Sequence, residues 1–535
     1  MQVSPKIAIL GAALLVAASL TGCAGGGGNN SNSDNGSSAG PASASSGSSG
    51  EAAGSKQPIT LTMLAQRSGQ NGPYKDMLVF QEYEKKTNIH VEWTDVPASG
   101  FAEKKNLVFA SNELPDAFFK AGITPTEAIK YGTSGMLMPL EDLIAKDAPN
   151  ISKLFEQYPE VLKALTAPDG HIYALSDIVT LDNARIGLKP WINRQWLQKL
   201  GLKEPTTTDE LLNVLRAFRD NDPNGNGQKD EIPILAADLG SLVGGISGSF
   251  GLQNQMGYHI NVDDEGKVKV WLADDRYKQM LMYLHQLYQE KLLDNEIISQ
   301  DQPTWLSKLN SGKVGMFYIQ EGAAFEKLKD QYIGTIPVKG PNGDQMVGSV
   351  APIARSFGAF AISSVNKYPD ETMKWLDYFY GDEGSIFFRF GVEGKTYHIG
   401  DDGLPYFNDD ILNDPRGAGN AEGQITPYPG GGSPEWINDK NSSGINSPEG
   451  IAATERLQPY LPKKVYAAPL LDASSNDRLD NLRRDIDTYA DESQAKFIVG
   501  NLSFDKWDEY VNTLKKMHLD EVEQIYQQAF DKLYK

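Results

Sequence analysis

Asp222-Pro-Asn-Gly-Asn-Gly-Gln-Lys-Asp-Glu231 sets oxygen-bearing side chains at the spacing of a calcium loop. Asp222, Asn224 and Asn226 stand at positions 1, 3 and 5. Gly227 at position 6 permits the sharp turn, and Gln228 at position 7 would offer its backbone carbonyl. Position 12 is Pro233 instead of a bidentate glutamate, so Asp230 and Glu231 must supply the missing carboxylates. An all-oxygen donor set suits a hard cation, and the loop holds no His or Cys for zinc or copper. The expected cofactor is one structural Ca2+; the alternative is a plain Asn-Gly turn.

Catalytic chemistry is harder to find. The six histidines (His90, His171, His259, His285, His398, His518) show no paired metal spacing, and Cys23 is the one cysteine. No phosphate-binding loop appears, nor a G-x-G-x-x-G after a strand. Gly244-Gly-Ile-Ser-Gly-Ser-Phe-Gly251 lacks the G-x-S-x-G register and is expected to be a loop. A glycosidase needs two carboxylates at a defined separation, yet none of the 70 acidic residues sits in a glycosidase signature. The expectation is therefore a binding protein and not an enzyme. A cell-surface polysaccharide lyase or hydrolase, and a lipoprotein that senses a peptide or other small ligand, remain as alternatives.

Sugar recognition needs flat apolar faces for pyranose C–H groups and planar polar groups for vicinal hydroxyls. The chain carries 8 Trp, 23 Tyr and 20 Phe, enough to supply both a core and a binding surface. The formal net charge of −20 argues against nucleic acid as a partner.

The N-terminus says where the protein works. Lys6 precedes the apolar run Ile7–Leu20, too short to span a bilayer and patterned like an export signal. Leu20-Thr-Gly-Cys23 follows and resembles the bacterial lipobox, which implies that Cys23 is lipidated. Residues 1–22 are thus expected to be removed. From residue 23 to 58 the chain is almost entirely Gly, Ser, Asn and Ala, a composition that cannot bury enough surface to order itself and should act as a tether.

Elements that would position these groups begin at Ile59. Strands are expected at 59–64, 88–94, 114–119, 186–193, 314–319 and 358–363, with a short extended piece at 171–175. Helices are expected at 73–87, 101–111, 125–132, 139–146, 196–200, 209–219, 274–293 and 369–380, and through most of the chain after 451. Alternating strands and helices predict a largely parallel sheet in an α/β fold.

Four ordered segments carry a family resemblance. They are Glu113-Leu-Pro-Asp-Ala-Phe118, Gly135-Met-Leu-Met-Pro-Leu-Glu-Asp-Leu143, Trp191–Leu202 followed by Glu204-Pro-Thr206, and Ser311-Gly-Lys-Val-Gly-Met-Phe317. Together they resemble the extracellular solute-binding proteins of ABC importers, the maltodextrin-binding superfamily, and within it the large alginate-oligosaccharide-type binding proteins. These carry a similar variant calcium loop. The resemblance implies a two-lobed periplasmic-binding-protein fold with a hinge and an interlobe ligand cleft. The first lobe would comprise 59–180 and 345–415, the second 181–344 and 416–535. It implies an oligosaccharide ligand, partnership with importer permease subunits, and a monomer held to the cell membrane by its lipid. Position within the family pattern points to Asp116, Trp191, Tyr318, Gln320, Arg389, Glu393 and Tyr397 as ligand contacts. Trp271, Trp305 and Trp436, in polar or Pro/Gly-flanked surroundings, are added as aromatic candidates.

Overall fold

The computed structural model describes residues 58–254, 257, 259–320, 328–442 and 447–534. Cys23, the export signal and the tether up to residue 57 lie outside the described residues.

Two four-stranded sheets carry the architecture. In the first, Ile59–Arg67 lies parallel to Ile89–Pro97 and to Ala117–Phe119, and only Phe360–Ile362 runs antiparallel, against 117–119. Parallel neighbours need a crossover, and helices Leu78–Thr87 and Ala98–Ser111 provide it. Side chains alternate between the two faces. Leu61, Met63, Ala65, Ala117, Phe119, Phe360 and Ile362 enter one core. Leu64, Phe118 and Ala361 enter another on the opposite face. A sheet covered on both sides reads as an apolar run, and the two three-residue strands, 117–119 and 360–362, are buried at every position.

The second sheet departs from the parallel expectation. Lys189–Asn193 runs antiparallel to both Val314–Ile319 and Tyr332–Gly334. Only Ile232–Leu235 and Val314–Ile319 are parallel. The strand that leads into this lobe, Lys189–Asn193, is the one that runs against the other three. Alternation again divides the residues. Trp191, Leu235, Val314, Phe317 and Tyr332 share one core. Ile192, Ile234, Met316 and Tyr318 join the large core that also takes helices Asp275–Gln289, Ala473–Val499, Trp507–Lys516 and Leu519–Tyr534.

Residues 417–442, placed with the second lobe from sequence, pack on the first. Gly72 N–H donates to Gly423 O, Ser68 Oγ to Pro429 O, and Ile178 N–H to Glu435 O. Trp436–Ile437 pairs in parallel with Ile178–Val179. This Gly/Pro-rich stretch has few apolar residues of its own, so it satisfies its backbone on the first lobe's strand ends. Two further expectations change. His171–Leu175 makes only a bridge, Leu175 to Phe360. The supposed Gly-rich loop is helix Leu239–Ile246 followed by a 3-10 turn, Ser247–Phe250. Gly248 permits a close backbone approach there, since a Cβ would collide with the Met346 carbonyl.

Candidate functional site

The acidic loop follows helix Thr208–Asp220, which Thr207 caps by accepting from Glu210 N–H at 3.2 Å. Asp222, at φ 46°, turns the chain out of the helix, and Gly225 and Gly227 also take left-handed backbone. Asp222 Oδ1 accepts from Gly225 and Asn226 N–H at 2.9 and 3.1 Å, and Oδ2 from Gly227 N–H at 2.9 Å. These bonds curl the loop around its own carboxylate. Both Glu231 carboxylate oxygens are buried with no hydrogen-bond partner among the described residues. Burial raises the Glu231 carboxyl above its usual range, opposed by the backbone N–H groups of Glu231 and Asp230 and aided by the charges of Asp222 and Asp230. Asp230 is held the other way, down to about 2, by hydrogen bonds from Lys313, Asn226 and Asn224. Among the described residues no ready-made cluster of three His, Cys, Asp or Glu stands at metal-binding distance. The oxygen-only donors and the two orphaned Glu231 oxygens nevertheless fit a hard cation.

A second polar assembly gathers at the C-terminal edge of the first sheet. Lys120, just past the apolar strand 117–119, is buried and donates to Pro427 O and Pro429 O at 2.7 and 3.0 Å. Arg355 Nη2 meets Asp177 Oδ2 at 2.9 Å, and its Nη1 reaches Ala184 O at the crossing between lobes. The Arg389 guanidinium lies 3.5 Å over the Tyr428 ring centroid, a cation–π stack. Glu435 is 1 % exposed. Burial pushes its carboxyl up to about 8, against the pull of Arg389, Lys120 and Arg355 and with added repulsion from Asp177. Lys120 is pulled down to about 8 by the same loss of water. Arg389 Nε and Nη1, Glu435 Oε2 and Ser176 Oγ are buried without a hydrogen-bond partner among the described residues. Buried polar atoms are rarely left unmade in native proteins, so these donors and acceptors are open to an incoming polar group. Trp436 adds a half-buried aromatic face, its Nε1–H donating to Thr180 Oγ1 at 3.0 Å.

Two adjoining cavities run along the crossing segments. One, about 580 Å³, is bounded by Glu160 and Ala164 of the first lobe, Gly266 and Phe530 of the second, and Pro352–Ala354 between them. The other, about 150 Å³, reaches Ser176 and Arg355 and so opens toward the polar assembly.

The structure sorts the sequence candidates sharply. Arg389 and Trp436 belong to the assembly. Gln320 is exposed at the end of strand 314–319, its Nε2 3.4 Å from Asn183 O and Ala184 O at the crossing. Trp305 is half-buried against the second lobe, with Nε1 unpartnered among the described residues. The others lie apart from the assembly, and the buried aromatics among them need correction. Trp191 and Trp271 are fully buried in second-lobe cores, donating Nε1–H to Ile319 O and Gln253 O, so neither ring has a face for a sugar. Tyr318 is buried against Gly245. Tyr397 packs on Phe390 and Phe407 in a satellite core, and Glu393 lies exposed beside that hairpin. Asp116 sits at the N-terminal end of its strand, and its Oδ2 is taken by Thr62 N–H and Oγ1, each at 2.8 Å. Lys120, Ser176, Asp177, Arg355, Tyr428 and Glu435 were not foreseen. The available signal was a charge set inside an apolar run, as in Phe118-Phe-Lys-Ala121 and Pro434-Glu-Trp-Ile437.

Residues 67–386 match the family described as bacterial extracellular solute-binding protein. The fructooligosaccharide ABC transporter substrate-binding protein FusA of Streptococcus pneumoniae serotype 4 is 29% identical over 470 residues, covering 85% of this chain and 87% of its own. The FusA structure in complex with kestose aligns at TM-score 0.72 and 28% identity over 88% of this chain and 99% of that one. An EF-hand mutant of FusA in complex with fructo-nystose aligns at 0.71, with the same identity and coverage. The alginate-binding protein AlgQ2, solved without calcium ion, aligns at 0.69 and 26% identity over 89% and 98%. A human-milk-oligosaccharide (HMO) binding solute-binding protein of Bifidobacterium longum infantis aligns at 0.77 and 26% identity over 90% and 99%.

Proposed function

Because this chain belongs to the bacterial extracellular solute-binding protein family, we propose that it captures an oligosaccharide between its lobes and hands it to the permease subunits of an ABC importer. The observation that carries the reading is the alignment with FusA bound to kestose, which spans nearly all of that chain and both lobes of this one. The local chemistry supports it. Arg389 Nε and Nη1 are unpartnered among the described residues and burial raises the Glu435 carboxyl to about 8, so the pair can both donate to and accept from sugar hydroxyls. Tyr428 and Trp436 supply rings beside them. Tyr428 already stacks on Arg389, which leaves Trp436 as the face for a pyranose or furanose. Gln320 and the crossing carbonyls would approach from the second lobe when the hinge closes. Binding without turnover is the expected outcome, and a saccharide should leave the site with its length unchanged.

Calcium in the loop is part of the same proposal. Asp222, Asn224, Asn226, Asp230 and Glu231 would hold the ion by side-chain oxygens and Gln228 by its carbonyl. The ion would neutralise three carboxylates at the exit of helix 208–220 and brace strand 232–235. An EF-hand mutant of FusA and an AlgQ2 solved without calcium ion favour a cation site in these relatives. Lipidation of Cys23 would keep the body at the membrane on its tether. A thermal-shift screen against fructan, milk-type and uronate oligosaccharides tests the binding reading: a ligand of the folded state raises the melting temperature, and a flat response to every saccharide would refute it.

A further inference from the structure

We propose that Lys313 sets the calcium affinity of the Asp222–Glu231 loop by competing with the ion for Asp230. The inference rests on the calcium reading of that loop. Lys313 lies outside the loop in sequence, but the sheet fixes it there. Ile232 N–H donates to Lys313 O at 2.7 Å, and the parallel register sets Ile232 opposite Val314. The lysine therefore stands at the loop's exit whether or not a cation is bound.

Its ammonium lies 2.7 Å from Asp230 Oδ2. Asn224 and Asn226 turn their amide nitrogens onto Asp230 Oδ1, at 3.1 and 2.9 Å. Asp230 is thus fully engaged by side-chain donors, whereas neither carboxylate oxygen of neighbouring Glu231 has a side-chain partner among the described residues. One of the two carboxylates needed by the ion is compensated in advance and the other is not. For calcium to bind, both asparagines must present oxygen instead of nitrogen, and Asp230 must release Lys313. The displaced ammonium then also repels the divalent ion at short range. Lys199 is the built-in control. It donates to Asp222 O and Pro223 O, carbonyls outside the donor set, so it braces the loop without occupying a ligand oxygen.

The test is a calorimetric calcium titration of the full chain after chelator treatment, comparing wild type with Lys313→Met, Lys313→Gln and Lys199→Met. Lys313 is 41% and Asp230 23% exposed on the side chain, so these changes leave the core intact. Both Lys313 variants should bind one calcium about tenfold tighter than wild type, and the gain should shrink at high salt. Without calcium Lys313→Met should melt below wild type, and saturating calcium should close that gap. Lys199→Met should not bind more tightly. Unchanged or weaker affinity in both Lys313 variants, with one ion bound to wild type, would overturn the proposal. Absence of binding to wild type would instead reject the calcium reading on which it depends.

Discussion

Trp191→Ala separates a core tryptophan from a sugar platform. Trp191 is completely buried, its ring among Leu235, Phe317 and Tyr332, with Nε1–H on Ile319 O at 3.1 Å. A tryptophan buries roughly 150–250 Å², which at about 25 cal/mol/Å² amounts to roughly 4–6 kcal/mol of transfer energy. The cavity left by truncation is filled only in part, and core Trp→Ala changes cost about 3–5 kcal/mol. Trp191→Phe keeps most of the packing and loses the indole donor, at about 1–2 kcal/mol. Urea unfolding should register both losses as a lower midpoint at unchanged slope. Saccharide affinity of Trp191→Phe should stay within about twofold of wild type, because the buried ring offers a ligand no face, whereas a stacking anchor would lose about 1–3 kcal/mol of binding. A Trp191→Ala protein with a wild-type midpoint and weakened binding would refute this placement.

Glu435→Gln should remove a pH dependence. The folded-state value of about 8 lies above the unfolded value near 4.3, so between them the folded protein keeps a proton that the unfolded chain releases. Stability from this group is therefore full below about pH 4 and falls by about 1.4 kcal/mol per unit toward pH 8; melting of the glutamine variant should lack that decline, and an identical pH profile would refute the burial argument. A chelator should lower the melting temperature, and calcium, more than magnesium, should restore it, by about 2.7 kcal/mol at a hundredfold excess over Kd. Asp222→Ala should be insensitive to both; an unmoved wild-type curve would make the loop a turn. Cys23→Ala should move the protein from cells to the medium, since a lone apolar signal without acyl chains gives no stable anchor; retention in the membrane fraction would contradict lipidation.

Local signals were legible and long-range ones were not. Val314–Ile319 appears at its expected bounds because a short apolar run after Ser311-Gly-Lys313 has few alternatives. The turn of the acidic loop was readable because the residues that curl it around Asp222 lie within ten positions. Strand direction in the second sheet depends on where the chain re-enters from the other lobe, which no local pattern encodes. Aromatic roles failed for a related reason. Along Lys189–Asn193 every residue is buried, so period-two alternation does not say which face Trp191 takes or that both faces are covered. The polar assembly draws Lys120, Asp177, Arg355, Arg389 and Glu435 from five distant segments, joined only when residues 417–442 fold back over the first sheet. Which of its atoms lack a partner among the described residues is decided only in three dimensions.

The most direct measurement is a calorimetric titration of the folded protein with fructan, milk-type and uronate oligosaccharides, followed by mass analysis of the recovered sugar. One-to-one binding by one of these classes is expected, with recovery at unchanged chain length and a Kd raised at least about tenfold, or about 1.4 kcal/mol, by Arg389→Ala. No binding by any saccharide, or recovery of shortened chains, would contradict binding without turnover.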